Sequence, residues 1–211
     1  MAQLDTKNRI LNGAEQLFAR EGFRNTSLRA LTRLAEVNLA AVNYHFGSKD
    51  ALLQAVIERR LLPLNEIRAK KIETVIEQAR QRGTAPGADD LLRAFIEPTL
   101  EFRNSSPGAD DFILLIGRSL SEPDATVRNC FLKLVLPAVH LLFAGLREAL
   151  PQLSSAVLLT RLQFIIGTMS HVMSMGTLSP LNDPTFPQPL EQQALIDQLM
   201  KYALAGLEAP E

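Results

Sequence analysis

The stretch NLAAVNYHFGSKDAL, residues 38–52, gathers two amides' worth of asparagine, two aromatic rings, an imidazole and an ammonium around a short alanine-rich core. That mixture suits contact with a nucleic acid better than catalysis. The small side chains of Ala40 and Ala41 let a helix approach the floor of the major groove, and their methyls can touch thymine methyl groups. Asn43 can both donate to and accept from an adenine edge. Tyr44, His45 and Lys49 can donate to phosphate oxygens, as can the backbone amides that begin a helix at Ser27 or Lys49. Nowhere does the sequence offer a nucleophile with its base and orienting group, or paired carboxylates, so no catalytic residue is assigned. One cysteine, Cys130, excludes an internal disulfide, and no CxxC or Cys/His cluster offers a metal site. Neither a metal nor a cofactor is expected.

Such residues need a rigid mount, and the flanking pattern supplies one. Ile10, Leu11, Ala14, Leu17 and Phe18 recur at the spacing of one helical face, within a helix expected over residues 4–20. Gly22 suits the left-handed position past its C-terminus. Thr26 is expected to cap a short helix over residues 27–34 whose inward face is Leu28, Leu31 and Leu34. After a turn at residues 35–37, Asn38 can cap a third helix over residues 39–46, with Val42 and Phe46 packing inward beside Val37. Gly47 ends that helix, and Ser48 caps a fourth that is expected to reach about residue 82 with a kink at Pro63. Two short helices joined by a tight turn and backed by a longer one make a helix-turn-helix, whose second member enters the major groove.

Composition agrees with an all-α chain. Leucine, alanine, glutamate and arginine dominate, tryptophan is absent and tyrosine occurs twice, a balance that favours helix over strand. Residues 1–60 hold nine Lys/Arg against six Asp/Glu, and the remainder thirteen against seventeen, so a mildly basic head precedes an acidic body. The polar start MAQLDTKNR lacks the apolar core of a signal peptide. The longest apolar run, Leu134 to Leu146, is interrupted by Pro137 and His140 and is short for a bilayer. A cytoplasmic location without membrane contact is expected.

Beyond residue 82 the pattern predicts helices over residues 89–104, 110–120, 125–150, 154–175 and 190–207, with breaks at 83–87, 105–108 and 177–189. Phe95, Phe102, Phe112, Phe131 and Phe143 suit the lining of an apolar cavity and, equally, a plain helical core. Arg118, His140 and His171 are polar groups within apolar stretches, fit to meet a carboxylate, a phosphate or a thioester carbonyl; His140 reads more readily as a satisfied core residue. Phe95, Phe102, Arg118, Phe131 and His171 are the candidate ligand-binding set. In the last two helices Phe164, Ile165, Gly167, Met169, Val172 and Met173, with Leu195, Ile196, Leu199, Met200 and Ala203, would leave a wide apolar surface on a monomer. A second copy can cover it, and an intrachain core is the other reading.

Residues 9–56, RILNGAEQLFAREGFRNTSLRALTRLAEVNLAAVNYHFGSKDALLQAV, resemble the N-terminal domain of the TetR family of bacterial transcriptional regulators. The resemblance implies a three-helix DNA-binding domain over residues 1–52 and a helical effector-binding and dimerisation domain over residues 53–211. It implies base or groove contacts from Leu39, Ala40, Ala41, Asn43 and Tyr44, and phosphate contacts from Thr26, His45 and Lys49. It also implies a homodimer through the last two helices, which matches a palindromic operator on double-stranded DNA. VNLAAVNYHFGSK is similar to regulators of the PsrA type, which respond to long-chain fatty acids or their coenzyme A esters. The expected function is therefore that of a repressor released from its operator by an apolar small molecule. The alternatives are a regulator of efflux answering a different hydrophobic compound, an all-α enzyme acting on an apolar substrate, and a helical interaction module. Two departures from the family pattern stand out. The family commonly has tyrosine where Asn43 stands, and glycine in the turn where Glu36 stands. A non-glycine residue held left-handed costs about 1 kcal/mol, so a slightly rebuilt turn is expected.

Overall fold

The fold comes from a computed structural model, which describes residues 2–102, 108–119, 125–174, 185, 187 and 190–210, with the backbone alone for 2–4, 118, 119 and 174. Among the described residues the regular structure is entirely helical: α1 Ala2–Glu21, α2 Leu28–Leu34, α3 Leu39–Phe46, α4 Lys49–Arg82, α5 Ala88–Glu101, α6 Ala109–Ser119, α7 Ala125–Ala149, α8 Ser155–Ser174 and α9 Gln192–Glu208. The breaks expected at 105–108 and 177–189 fall largely outside the described residues. The chain divides into two compact units, Met1–Pro63 with Arg103–Leu134, and Leu64–Phe102 with Val135–Glu211. α4 and α7 each contribute to both. α4 runs through Pro63 without a break, although the proline ring removes the amide that would reach the Arg59 carbonyl.

In the first unit the apolar stripe of α1 turns Ile10, Leu11, Ala14 and Phe18 inward, together with Leu31 of α2, Val42 of α3 and Leu52, Leu53, Val56, Ile57 and Leu61 of α4. α1 packs against α2, α3 and α6. Close approach at the α1–α2 crossing depends on Gly13, since a Cβ there would lie 3.3 Å from a Leu31 methyl. α2 and α3, with seven and eight residues, are too short to hold helical form alone. Their stability comes from this packing.

A buried carboxylate ties α1 to α4. Glu15, 2% exposed, receives two hydrogen bonds from the Arg60 guanidinium, at 3.2 and 3.1 Å, and one from Arg59. Arg59 reaches Asn12 as well, at 2.8 Å. Farther along α1, Arg20 pairs with Asp111 of α6 at 3.0 Å. These pairs join helices that are distant in sequence and fix the angle at which α1 backs the two short helices.

In the second unit nine residues of α5 are buried, from Ala88 to Leu100. α5 packs on α9, and α8 packs on α9. Gly145 of α7 lets the chain approach closely, since a Cβ there would lie 3.1 Å from Leu91 of α5 and 3.4 Å from Ile76 of α4. Arg161 of α8 donates to the carbonyls of Leu207 and Ala209 where α9 ends, a favourable place for positive charge.

One expectation changes here. The apolar residues of the last two helices are mostly core: Ile165, Met169, Val172, Met173, Ile196, Leu199, Met200 and Ala203 are all buried within the chain. The large apolar side chains of these helices that stay exposed are Leu159, Phe164 and Tyr202, with Leu195 half-buried. The apolar run at Leu134, short for a bilayer by itself, lies within α7, which at 25 residues matches the helix expected over residues 125–150. α7, and α8 over residues 155–173, are long and apolar enough to cross a bilayer by length and composition. Val135, Ala138, Leu142 and Leu146 of α7 are nonetheless buried in the protein itself, as in the core helix of a globular fold.

Replacing Glu15 by glutamine should leave Arg59 and Arg60 short of counter-charge and destabilise the protein by about 3 kcal/mol. Urea unfolding checks this, with a lowered midpoint at unchanged slope as the expected result.

Candidate nucleic-acid interface

The interface is built from two capped helices and the turn between them. α2 begins at Ser27, whose backbone is extended (φ −90°, ψ 149°) and whose Oγ accepts from the Ala30 amide. Thr26, expected as the cap, is instead buried at 2% exposure. Its hydroxyl and its amide both donate to the Gly22 carbonyl, at 2.9 and 3.2 Å. The reason lies one turn back. Gly22 takes φ 86° past the end of α1, and the loop this starts closes on Thr26, leaving the next residue to cap.

α3 begins at Asn38 as its spacing predicts. The backbone is extended, and Oδ1 accepts from the Ala41 amide at 2.8 Å. A side-chain cap of this kind contributes about 1 kcal/mol. Gly47 ends the helix at φ 72°, its amide donating to the Asn43 carbonyl. Ser48 then caps α4, its Oγ accepting from the Ala51 amide at 3.0 Å.

The turn between α2 and α3 keeps its left-handed residue although no glycine occupies it. Glu36 has φ 50°, so the expected rebuilding does not occur. Arg9 of α1 supplies what offsets the strain. Its guanidinium donates to the Glu36 carbonyl and lies 3.6 Å from the Glu36 carboxylate. The Val37 amide closes the turn onto the Thr32 carbonyl at 3.0 Å.

Val42 anchors α3 from its inner side at 2% exposure, with Val37 and Phe46 half-buried. Leu34, expected to face inward on α2, is 45% exposed, because the helix lies on α1 with Leu31 at the contact. The opposite face of α3 presents Leu39, Ala40, Asn43 and Tyr44, all exposed, with Tyr44 at 75%. Ala41 and His45 are half-buried at its edges, and the His45 ring meets Tyr44 edge-on at 5.2 Å. Arg24, Arg29 and Arg33 are exposed nearby in sequence.

Lys49 makes an intrachain contact that its position in the sequence does not announce. Its ammonium donates to the Phe23 carbonyl and sits 4.4 Å above the Phe23 ring. The side chain therefore ties the start of α4 to the loop after α1. Neither this contact nor the Arg9 clamp had a sequence signal, because the partners lie 26 and 27 residues apart.

The candidate ligand-binding residues are distributed over both units. Phe95, buried, Phe102, half-buried, and His171, exposed, lie in the second unit. Phe131, buried, lies in the first; Arg118 is in the last turn of α6, and its side chain is outside the described residues. Sequence reasoning missed one contact of this set: Phe95 lies beneath the guanidinium of Arg68, at 4.3 Å. Among the described residues no three His, Cys, Asp or Glu side chains gather as a metal site would need.

The turn gives a direct test. Glu36→Gly releases the left-handed strain, whereas Glu36→Ala keeps it, so the glycine variant should be more stable than the alanine variant by about 1 kcal/mol in urea unfolding.

Residues 10–56 match the family described as bacterial regulatory proteins, tetR family, and residues 93–206 match the family described as tetracyclin repressor-like, C-terminal domain. The HTH-type transcriptional regulator UidR of Escherichia coli (strain K12) is 38% identical over 52 residues, which is 25% of this chain and 26% of UidR. The HTH-type transcriptional repressor NicS of Pseudomonas putida is 34% identical over 65 residues, 31% of each chain. The chain thus spans about a quarter to a third of the length of these curated relatives. Two solved structures share the whole fold. The fatty acid degradation regulator FadR from Bacillus halodurans superposes with a TM-score of 0.67 at 16% identity, covering 97% of both chains. FadR from Bacillus subtilis in complex with stearoyl-CoA superposes with a TM-score of 0.68 at 14% identity, covering 94% of this chain and 98% of that one.

Proposed function

The chain belongs to the tetR family of bacterial regulatory proteins, and from that premise we propose that it is a DNA-binding transcriptional regulator, a repressor released from a palindromic operator by an apolar effector. The observation that carries the reading is the outer face of α3. Ala40, Asn43 and Tyr44 stand exposed on a helix held by Val42 from behind and capped at both ends. The helix is rigid, free of bulky side chains at Ala40 and Ala41, and fitted to a major groove.

In this reading Ala40, Ala41 and Asn43 meet base edges, Leu39 and Tyr44 line the groove wall, and His45 reaches a phosphate. The amides that begin α2 at Ser27 and α4 at Lys49 add phosphate donors. Thr26 and Lys49 hold the loop and the start of α4 in place and are further candidates for phosphate contact. Residues 1–52 form the DNA-binding domain and residues 53–211 the effector and dimerisation domain of a cytoplasmic homodimer. Phe164 and Tyr202, exposed on α8 and α9, are the anchors of the interface between copies; large aromatics commonly carry binding energy there.

The effector is a long-chain fatty acid or acyl-CoA, with Phe95, Phe102, Arg118, Phe131 and His171 as candidate contacts. Support comes from the stearoyl-CoA complex of the structurally similar FadR and from the apolar body of the chain. Binding would favour a dimer geometry in which the two α3 helices no longer match successive major grooves.

Genomic fragments retained by the purified protein at physiological salt, with excess competitor, should converge on one short palindrome. Retention without any shared sequence sinks the proposal. With that operator as probe, Asn43→Ala should change preference at particular base pairs. Tyr44→Ala should instead weaken all sequences alike, and Arg29→Ala should also lower the salt slope by about one unit.

A further inference from the structure

We propose that Arg68 is the anion-recognising group of the effector site, taking the carboxylate of an apolar monocarboxylic acid. The inference rests on the effector-responsive reading above and narrows its ligand to a free acid.

Arg68 projects from α4 on the same face as Leu64 and Ile72, one turn to either side, and all three are buried. It is 2% exposed, the bulkiest fully buried side chain in the described chain. Every acceptor it meets is neutral. Nε donates to the Phe95 carbonyl and to Thr99 Oγ1, both at 3.2 Å. One terminal nitrogen donates to Asn65 Oδ1 at 2.9 Å, and the other donates to Thr99 Oγ1. The Phe95 ring covers one face of the guanidinium. No Asp or Glu among the described residues pairs with it, in contrast to Glu15, Asp89, Glu97 and Asp111, each of which holds an arginine.

A buried cation without a counter-ion is costly, because its hydration is lost with no Coulombic return. Burial alone pulls the guanidinium down to about 9, and no neighbouring carboxylate holds it up. Arg68 therefore stays protonated at neutral pH, and the free protein carries the full cost there; the sign of the shift relieves it only as pH rises above about 9. A structural role is a poor reason to keep it, since an apolar side chain of similar length would fill the space at less cost.

A ligand anion supplies the missing charge. Guanidinium offers five N–H donors in a planar fork. The bonds in place leave one N–H on each terminal nitrogen without an acceptor among the described residues, the number that one carboxylate accepts in a bidentate pair. One buried cation balances one negative charge, which favours a carboxylate over a dianionic phosphate. A thioester carbonyl brings no charge at all. The rest of the ligand must be apolar, since Phe95, Leu91, Leu92, Ile96 and Ile72 are buried in the same unit. Met169, Met173 and Met200, also buried there, are the side chains best able to repack around an added chain.

The experiment is calorimetric titration of the full chain with dodecanoate, methyl dodecanoate and dodecanoyl-CoA, and with the corresponding hexadecanoyl set, for the natural protein and for Arg68→Met. The acid is expected to bind about thirtyfold more tightly than its methyl ester and thioester, from the strength of charge-assisted hydrogen bonds. Arg68→Met should erase that preference while leaving ester binding unchanged. Equal binding of acid and ester, tighter binding of the thioester, or an acid preference that survives Arg68→Met overturns the assignment to Arg68 and leaves an apolar effector standing. Failure of all the probes to bind removes the fatty-acyl effector as well, while fragment retention still decides DNA binding separately. If the methionine variant does not fold, Arg68→Lys carries the test, because it keeps the charge but loses the fork. It should weaken acid binding about tenfold with the ester unaffected, and unaltered acid binding overturns the proposal.

Discussion

The first unit depends on a buried carboxylate. Glu15 sits at the contact of α1 with α4 and is held by two arginines from successive positions, Arg59 and Arg60. Apolar burial holds these helices together without choosing one angle between them, because it is proportional to area and has no direction. A carboxylate accepting from two guanidinium groups is directional, and it is unforgiving because an unpaired buried charge costs several kcal/mol. Arg20 and Asp111 extend the same logic to α6. On that frame α2 and α3 find a surface that they could not make for themselves.

α3 is eight residues long, and most of what makes it a helix is outside it. Asn38 caps one end, Gly47 closes the other, Val42 pins it to the frame, and Arg9 from α1 holds the strained carbonyl of Glu36 just before it. On the outer face Ala40, Asn43 and Tyr44 are exposed, with Tyr44 edge-on to His45. Thr26 and Lys49 also stiffen the mount, through the Gly22 carbonyl and through the Phe23 carbonyl and ring. A scaffold with locked supporting residues holds a reading helix in place.

The second unit shows the opposite economy. Where Glu15 of the first unit is matched by two arginines, Arg68 is buried against neutral acceptors and an aromatic ring. Stability and ligand response pull apart at such a position, since the arrangement that suits a bound anion is unfavourable in its absence. The α8 and α9 helices divide their residues along similar lines. Many of their apolar side chains fill the core of the chain, and the large ones that stand exposed are Leu159, Phe164 and Tyr202.

What the sequence by itself determined is the local chemistry. Helix caps and left-handed turns are made within about four residues, so Asn38, Ser48, Gly22 and Gly47 could be placed from spacing alone. The all-α class and the helix-turn-helix followed from apolar periodicity, which every helix carries in its own residues. Tertiary structure decided the rest, because it turns on pairs far apart in the chain. Whether Thr26 or Ser27 caps α2 depended on the loop from Gly22. Whether Glu36 could stay left-handed depended on Arg9, and whether Lys49 was free depended on Phe23. Periodicity marks a residue as facing inward but not what it faces, so α8 and α9 could not be divided between core and outer surface in advance. In the polar run NEIRAKKIET nothing separates Arg68 from its solvated neighbours. Tertiary packing, with Phe95 and Thr99 of α5 among its contacts, takes it out of water, and a charge acquires its meaning from the medium around it.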